Sequence, residues 1–301
     1  MNRLENQLLH AVAVYGRMIK FSHSVFALPF AFSGAAMAAT RSGVTLAQIG
    51  WIAVAMVGAR SAAMGFNRLA DRHIDAANPR TSNRELPQGV VSVKAVWLMV
   101  VLSSALLVWA AGQLNPLCLY LSPVALLILL SYSYTKRFTW ASHLVLGLSL
   151  GLAPVGAWIA VTGSVSLVPV VLGLTVLAWV AGFDILYACQ DHAFDVASGL
   201  HSIPARFGLR RSLHAARFLH ALTVMLMLAV AALMGLNSLY LLGVAVIAGL
   251  LFYEHRLVKA EDLTRVNTAF MTMNSIVSVG YFAFTLADLL LLGDGGPLLL
   301  L

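Results

Sequence analysis

The sequence predicts an all-α, polytopic membrane protein, a bundle of nine transmembrane helices. Three observations support this prediction. The chain is 60% hydrophobic and only 10% charged, with a mean hydropathy of +0.87, whereas soluble proteins contain about 25% charged residues. Its apolar stretches approach the length of about 20 residues that a helix needs to cross a bilayer. Its basic residues collect in alternate connections between those stretches.

The apolar stretches follow one another with short connections. We place the nine spans at residues 21–40, 46–66, 93–112, 116–134, 144–162, 166–188, 218–235, 238–253 and 269–292. The eighth span is short, and only a turn around Asn115 and Pro116 separates the third from the fourth. Because no linker or soluble domain interrupts the series, we expect residues 1–301 to form a single membrane domain.

The distribution of basic residues predicts the orientation in the membrane. With the N-terminus inside, all but two of the 19 Lys and Arg residues lie in inside segments; Arg41 lies outside and Arg60 within the second span. This bias follows the positive-inside rule. We therefore expect a multi-pass protein of the cell (inner) membrane with a cytoplasmic N-terminus. The net charge of +7 then reflects topology, and we expect no nucleic-acid partner.

Two acidic segments lie at the inside ends of the second and sixth spans. The chain has only 12 Asp and Glu residues, and five of them fall in these two segments. In each segment the polar residues recur at helical spacing, which predicts that they share one helix face. The residues concerned are Asn67, Asp71 and Asp75 in the first segment, and Asp184, Tyr187, Asp191 and Asp195 in the second.

This arrangement of carboxylates favours a cation site. Closely stacked carboxylates repel one another unless a cation lies between them, and acidic side chains are costly near hydrocarbon. Mg²⁺ prefers oxygen ligands and commonly takes one or two carboxylates together with substrate phosphate. We therefore predict a Mg²⁺ site with Asn67, Asp71, Asp75, Asp191 and Asp195 as its ligands. The alternative is a set of solvated residues that cap helix ends, and for one such segment alone we would prefer it.

Basic residues accompany both segments. Arg72 and Arg80 flank the first segment, and Lys136 and Arg137 end the fourth span. Guanidinium and ammonium groups beside Mg²⁺ can bind phosphate oxygens and stabilise departing negative charge. Anchoring at the membrane face explains the Lys136–Arg137 pair equally well. Arg60 differs because it lies within a span, where an arginine normally faces a partner or a substrate.

These motifs resemble those of the UbiA superfamily of intramembrane aromatic prenyltransferases, and the resemblance covers nearly the whole chain. It includes the opening of the first span at residues 19–24 and the NxxxDxxxD motif at 67–75. It also includes the YxxxDxxxD motif at 187–195 and the Lys-Arg pair at 136–137. The two acidic motifs together, on spans two and six, are specific, whereas either motif alone would be weak.

The resemblance implies a helix bundle with a central cavity open to the bilayer. In such enzymes the Asp motifs hold Mg²⁺, which binds the diphosphate of a polyprenyl donor, and an aromatic ring attacks the allylic cation. A dry apolar cavity would protect that cation from water. For this chain the resemblance implies catalytic roles for Asp71, Asp191, Arg60 and Lys136. It implies binding roles for Asn67, Arg72, Arg137, Tyr187 and Asp184.

Residues 66–87 resemble the 4-hydroxybenzoate polyprenyltransferase-like branch of the superfamily. That branch also includes enzymes that prenylate 1,4-dihydroxy-6-naphthoate on a route to menaquinone. We therefore expect a hydroxylated aromatic acid as the acceptor, in ubiquinone or menaquinone biosynthesis. Both acceptors carry a carboxylate, for which Arg60 or His143 is a candidate partner.

Other protein classes predict different patterns. A membrane transporter also places acid and arginine inside a bundle, but its carboxylates lie near the midplane, beside helices that are broken at matching positions in two halves. The CDP-alcohol phosphotransferases use Mg²⁺ and intramembrane aspartates, but their DGxxAR motif does not occur in this sequence. A structural scaffold needs no acidic ladders. The transporter remains the alternative to the prenyltransferase.

Overall fold

The computed structural model describes residues 14–20, 26–293, 296 and 299–300. The helices are α1 (Leu28–Ser42), α2 (Leu46–Ala77), α3 (Val93–Leu114), α4 (Pro116–Thr135), α5 (Ser142–Thr162), α6 (Leu167–Ala188), α7 (His192–Ala197), α8 (Ile203–Phe207), α9 (Leu209–Met234), α10 (Ser238–Leu257), α11 (Val266–Thr268) and α12 (Asn274–Leu291). A 3₁₀ turn, Cys189–Asp191, joins α6 to α7, a π-helical segment, Ala269–Met273, precedes α12, and the two-residue strands β1 (Val44–Thr45) and β2 (Leu299–Leu300) pair in parallel.

Within the described residues, eight helices are long and apolar enough to cross a membrane, which confirms the all-α membrane fold. The difference from nine concerns the first predicted span, 21–40. Residues 21–25 of that span lie outside the described residues, and the helix that follows them, α1, has 15 residues.

The long helix α2 carries the first acidic segment past the predicted end of its span. A capping box begins the helix: Thr45 Oγ1 accepts from the Gln48 amide at 3.1 Å, and Gln48 Oε1 accepts from the Thr45 amide at 2.9 Å. It ends at Asn78, which is extended because the residue before a proline avoids the helical region. The 32 residues of the helix rise about 48 Å, against about 30 Å of hydrocarbon. Its last turns can therefore reach the aqueous interface.

Helices α5 and α6 pack with their backbones in close contact. A Cβ atom at Gly151 would lie 2.5 Å from the carbonyl oxygen of Gly173, and one at Gly147 would meet the carbonyl oxygen of Leu177. Only glycine fits at these positions. Small residues of this kind let membrane helices approach closely, which strengthens their van der Waals contact.

Helix α6 is the most enclosed of the described spans, since most of its residues are buried inside the bundle. It contacts α5 on one side and α9 on another. An aromatic cluster fills the space beside it: the Phe30 ring lies 5.0 Å from Trp179 and 4.7 Å from Tyr281. This packing places the end of α6, which carries the second acidic segment, centrally at one end of the bundle.

Candidate active site

Asp71 lies where the ends of α2 and α4 meet. Asn67 Nδ2 donates a hydrogen bond to Asp71 Oδ2 at 3.1 Å, and Lys136 Nζ lies 3.3 Å from the same oxygen. An Arg137 guanidinium nitrogen lies 3.6 Å from Oδ1 and donates to the carbonyl oxygen of Ala70. The structure therefore brings the Lys-Arg pair to the first acidic segment. The carboxylate itself is buried, with 4% of Asp71 exposed.

Asp75 is enclosed by guanidinium groups. One nitrogen of Arg84 lies 2.7 Å from both carboxylate oxygens, and Arg68 lies 3.9 Å away. Thr81 Oγ1 donates to the backbone carbonyl oxygen of Asp75 at 3.1 Å. These contacts fold the loop after α2 back against the helix. The assignment of Asp75 as a metal ligand stays a prediction, because both of its oxygens are already engaged with Arg84.

The same loop reaches the second acidic segment. Arg80 Nε lies 2.8 Å from Asp191 Oδ1, a second guanidinium nitrogen contacts Oδ2, and a third donates to the Tyr187 hydroxyl at 2.9 Å. Asn78 Nδ2 donates to Asp191 Oδ1 at 3.1 Å. The Arg80 guanidinium also lies over the Tyr187 ring, 5.0 Å from its centre. One loop therefore connects α2 to the end of α6.

The second segment is helical throughout, but a 3₁₀ turn at Cys189–Asp191 interrupts the α-helical winding. There the Cys189 amide is shared among three preceding carbonyl groups, and its thiol donates to the Ile185 carbonyl oxygen at 3.3 Å. Tyr187 and Asp191 both contact Arg80 across this turn. The single face predicted for all four residues of the segment stays a prediction.

Asp184 and His143 form a hydrogen-bonded pair between α6 and α5. His143 Nδ1 lies 2.6 Å from Asp184 Oδ2, and His143 Nε2 accepts from the Ile203 amide at 3.3 Å. Both ring nitrogens of this buried histidine are therefore engaged. The prediction that His143 binds the acceptor's carboxylate is not supported by this geometry.

Lys20 and Arg60 extend the cationic side of the site. Arg60 Nη2 donates to the Lys20 carbonyl oxygen at 3.0 Å, while its buried Nε has no hydrogen-bond partner among the described residues. Burial, followed by the nearby guanidinium groups of Arg68, Arg84, Arg80 and Arg60, lowers the pKa of the Lys20 ammonium to about 8. From the sequence, Lys20 was only a topology signal and part of the resembling first-span opening. Spacing gives no link between it and acidic residues some 50 positions away.

The site has more positive than negative charge. Its cationic side chains are Lys20, Arg60, Arg68, Arg80, Arg84, Lys136 and Arg137, and its anionic side chains are Asp71, Asp75, Glu85, Asp184, Asp191 and Asp195. Seven against six leaves an excess of one positive charge. Arg72 does not join the group: it is exposed and donates to His73 at 3.0 Å. Such an excess suits a substrate with a strongly anionic head.

An apolar cavity of about 280 Å³ begins beside this charged end. Arg60, Asn67 and Tyr132 lie at its polar end. Residues of α1 to α5 line the rest, and apart from Cys118, Ser122 and Ser149 these are glycine or aliphatic residues. Gly156 lines the cavity and is itself exposed, so the cavity reaches the outer surface of the bundle. This arrangement matches the expected cavity open to the bilayer.

The oxygen donors at this end fit Mg²⁺ in their chemistry. Asp71 Oδ1 is buried without a hydrogen-bond partner in the described part of the chain, although Arg137 lies near it. Carboxylate and amide oxygens are the ligands that Mg²⁺ prefers. As arranged, however, the described residues contain no group of three His, Cys, Asp or Glu side chains placed to hold a metal. Metal binding would therefore replace an ion pair such as Lys136–Asp71 or Arg80–Asp191.

Comparisons with known proteins agree with this description. Residues 27–276 match the UbiA prenyltransferase family. A 4-hydroxybenzoate octaprenyltransferase of Vibrio cholerae serotype O1 is 34% identical over 220 residues, which cover 72% of this chain and 76% of the relative. Another, of Nitrosospira multiformis, is 32% identical over 231 residues, covering 77% of this chain and 79% of that protein.

Solved structures share the fold. The apo structure of a UbiA homolog from Aeropyrum pernix K1 has a TM-score of 0.81 and 36% identity, covering 89% of this chain and 98% of the other. A UbiA homolog from Archaeoglobus fulgidus, bound to GPP and Mg²⁺, has a TM-score of 0.71 and 23% identity, covering 92% of this chain and 100% of that one. At that identity the second likeness shows the fold alone.

The helical membrane fold, with two acidic segments beside an apolar cavity, defines a multi-pass membrane enzyme. The chain belongs to the UbiA prenyltransferase family, and it is a prenyltransferase. The sequence left two interpretations open, a prenyltransferase and a membrane transporter. The family membership supports the prenyltransferase.

Proposed function

We propose that this enzyme transfers a polyprenyl group from a polyprenyl diphosphate to the ring of a hydroxylated aromatic acid, in a Mg²⁺-dependent reaction. The acceptor is 4-hydroxybenzoate or 1,4-dihydroxy-6-naphthoate, and the reaction belongs to ubiquinone or menaquinone biosynthesis. One observation carries the proposal: two acidic segments and an excess of cationic side chains meet at the polar end of an apolar cavity. A polyprenyl diphosphate matches both parts of the site: its anionic head suits the cationic side chains, and its long apolar tail suits the cavity.

The cationic side chains bind the diphosphate head. Lys136 and Arg137 from α4, together with Arg80 from the loop after α2, present N–H donors beside Asp71 and Asp191. Donors of this kind stabilise the negative charge that develops as the diphosphate leaves. Lys20 adds a further ammonium group on the same side.

Mg²⁺, when bound, supplies Lewis-acid neutralisation of the diphosphate oxygens. Asp71, Asp191, Asp195 and the Asn67 amide would hold it, with Asp75 a further ligand if Arg84 releases one of its oxygens. Two observations support this assignment of ligands: these residues have the oxygen donors that Mg²⁺ prefers, and a UbiA homolog of the same fold was solved with GPP and Mg²⁺. Both acidic segments then act at the same end of the bundle, which we place on the cytoplasmic side.

The acceptor's carboxylate binds Arg60. This residue lines the cavity two helical turns from Asn67, and its buried Nε lacks a hydrogen-bond partner among the described residues. A buried donor without a partner costs free energy, and a bound carboxylate removes that cost. The rest of the cavity wall is apolar, so it accommodates the prenyl tail and keeps water from the allylic cation.

The proposal is tested with purified protein in lipid vesicles. The protein is given Mg²⁺, a polyprenyl diphosphate and each acceptor in turn, and the prenylated product is identified by mass spectrometry. We expect a product with at least one of the two acids. Formation of no prenylated ring with either acid overturns the proposal.

The acidic segments are tested in the same assay. Asp71→Ala and Asp191→Ala should each abolish Mg²⁺-dependent turnover, because each removes oxygen ligands from the site. Asp262→Ala is the matched control, since Asp262 is an exposed aspartate in the loop after α10. Full activity in either site variant contradicts the metal assignment. Thermal unfolding of each variant in detergent shows whether a loss of activity reflects the site or a loss of the fold.

A further inference from the structure

The pair formed by His143 and Asp184 differs from the contacts that Asp71, Asp75 and Asp191 make. Asp71, Asp75 and Asp191 each contact a lysine or an arginine. Asp184 instead contacts an imidazole, and its carboxylate is 20% exposed. No lysine or arginine of the described residues forms an ion pair with Asp184, so its carboxylate is not occupied by a fixed cation.

The hydrogen bonds around His143 define its tautomer. The Ile203 amide donates to Nε2, so Nε2 carries no proton. The single ring proton therefore lies on Nδ1 and is donated to Asp184 Oδ2 at 2.6 Å. His143 is 3% exposed and lies in the first turn of α5, and Ile203 is the first residue of α8, so both helices hold this geometry. The other carboxylate oxygen, Asp184 Oδ1, has no partner among the described residues.

Asp184 lies near the polar end of the cavity without being one of the residues that line it. It lies one helical turn before Tyr187, towards the interior of the bundle. Its carboxylate and that of Asp71 both act electrostatically on the Tyr132 hydroxyl, and Tyr132 lines the cavity together with Arg60 and Asn67. Asp184 is therefore close enough to Tyr132 for the two side chains to interact electrostatically, which places its carboxylate beside this end of the cavity.

Prenyl transfer to a ring needs a base at that place. The C–O bond of the donor breaks and its electron pair leaves with the diphosphate, while a new C–C bond forms from the ring's π electrons. The attacked ring carbon then carries both the prenyl group and a hydrogen. That hydrogen must leave as a proton, so that its C–H electron pair restores the aromatic ring. An apolar cavity offers little water to accept it.

We propose that Asp184 Oδ1 is the general base that takes this ring proton, and that His143 is a positioning residue that orients the carboxylate. The inference rests on the proposed function. After proton transfer Asp184 is a neutral acid, still hydrogen-bonded to His143, and it returns the proton to water once the products leave. General-base catalysis of this kind contributes about 100-fold or more to a rate.

The test uses Asp184→Asn, which has nearly the same size and cannot accept the proton as a carboxylate does. We expect kcat to fall about 100-fold, with the KM for the prenyl diphosphate within about twofold of the wild type. With an acceptor deuterated at the prenylated ring carbon, the variant should show a primary isotope effect on kcat. In the wild type ionisation of the donor is slower, and the effect should be close to unity.

Variants of His143 test the positioning role. His143→Leu removes the N–H donor and should lower kcat with the same isotope effect, whereas His143→Gln keeps an N–H donor and should restore part of the rate. A purely structural role would change stability without introducing an isotope effect. Asp262→Asn is the matched control, and thermal unfolding in detergent checks the fold of each variant.

The outcomes separate this inference from the proposed function. A wild-type protein that prenylates neither acid overturns both. A wild type that forms product, with an Asp184→Asn variant that keeps its kcat within threefold and shows no isotope effect, overturns only the role of Asp184 as base. If the Asp184→Asn variant instead binds the prenyl diphosphate poorly and shows no isotope effect, the role as base is also overturned. Asp184 would then be a residue that binds the prenyl diphosphate.

Discussion

Arg80 and Asp191 form an ion pair that ties the loop after α2 to the turn after α6, with Arg80 Nε 2.8 Å from Asp191 Oδ1. The same guanidinium group donates to the Tyr187 hydroxyl. Arg80, together with Asn78, therefore connects the loop after α2 to the second acidic segment. In the proposed reaction Asp191 is also a ligand of Mg²⁺, so Arg80 would lie beside the diphosphate when the metal binds.

Replacing Arg80 should impair use of the donor more than the fold. Arg80→Ala is expected to lower kcat/KM for the prenyl diphosphate about 100-fold, because it removes a preorganised donor for the leaving charge. Steady-state kinetics with varied donor concentration measures the effect. Arg210→Ala is the matched control: its ion pair with Glu261 is largely exposed, and such pairs contribute little. Equal kinetics for the two variants would argue against a role of Arg80 at the diphosphate.

Asp75 should matter for stability as well as for activity. Asp75→Ala leaves the guanidinium groups of Arg84 and Arg68 without their buried partner. Breaking a buried ion pair by removing one side costs about 3–5 kcal/mol. Denaturant unfolding in detergent should show a loss of this size, and none for Asp262→Ala. A variant with the stability of the wild type would show that Arg84 and Arg68 find other partners.

Affinity for the diphosphate should depend on pH through Lys20. Its pKa of about 8 means that the ammonium is charged below that pH and neutral above it. As the pH rises from 7 to 9, the site loses one positive charge, and binding of inorganic diphosphate should weaken about tenfold. Isothermal titration calorimetry at the two pH values measures this. The diphosphate titrates too, so Lys20→Gln provides the control and should show a smaller change with pH.

The cavity should limit the length of the prenyl donor. Gly156 lines it, and a Cβ atom there would meet nothing within 4 Å, so a larger side chain can enter the free space. Gly156→Phe should lower kcat/KM about tenfold or more for long donors and leave dimethylallyl diphosphate almost unaffected. Gly249→Phe on α10 also has open space around its Cβ and does not line the cavity. An unchanged preference in Gly156→Phe would place the tail elsewhere.

Much of the first acidic segment could be predicted from spacing. Asn67, Asp71 and Asp75 lie within one continuous helix, so the i, i+4 rule applies directly. The placement of Lys136 and Arg137 beside Asp71 could be predicted only as far as the shared membrane face, since the contact depends on how α4 packs against α2.

Contacts made by the loop after α2 could not be predicted. Arg80 reaches Asp191 over a separation of 111 residues, and Arg84 turns back to Asp75; no local pattern specifies either contact. The 3₁₀ turn at Cys189–Asp191 was missed for a similar reason, because it results from local hydrogen bonding that a helical periodicity does not reveal. Arg72 shows the converse error, since a position next to Asp71 puts a side chain on a different face of the helix.

The close backbone contact between α5 and α6 constrains how this sequence can vary. Gly147 is one turn from His143 on α5, and Leu177, whose carbonyl oxygen it approaches, is two turns from Asp184 on α6. A single added methyl group at Gly147 would push the helices apart and lengthen the distance from His143 to Asp184. Gly147 would then be intolerant to substitution, although it makes no polar contact of its own, because it sets the spacing between His143 and Asp184.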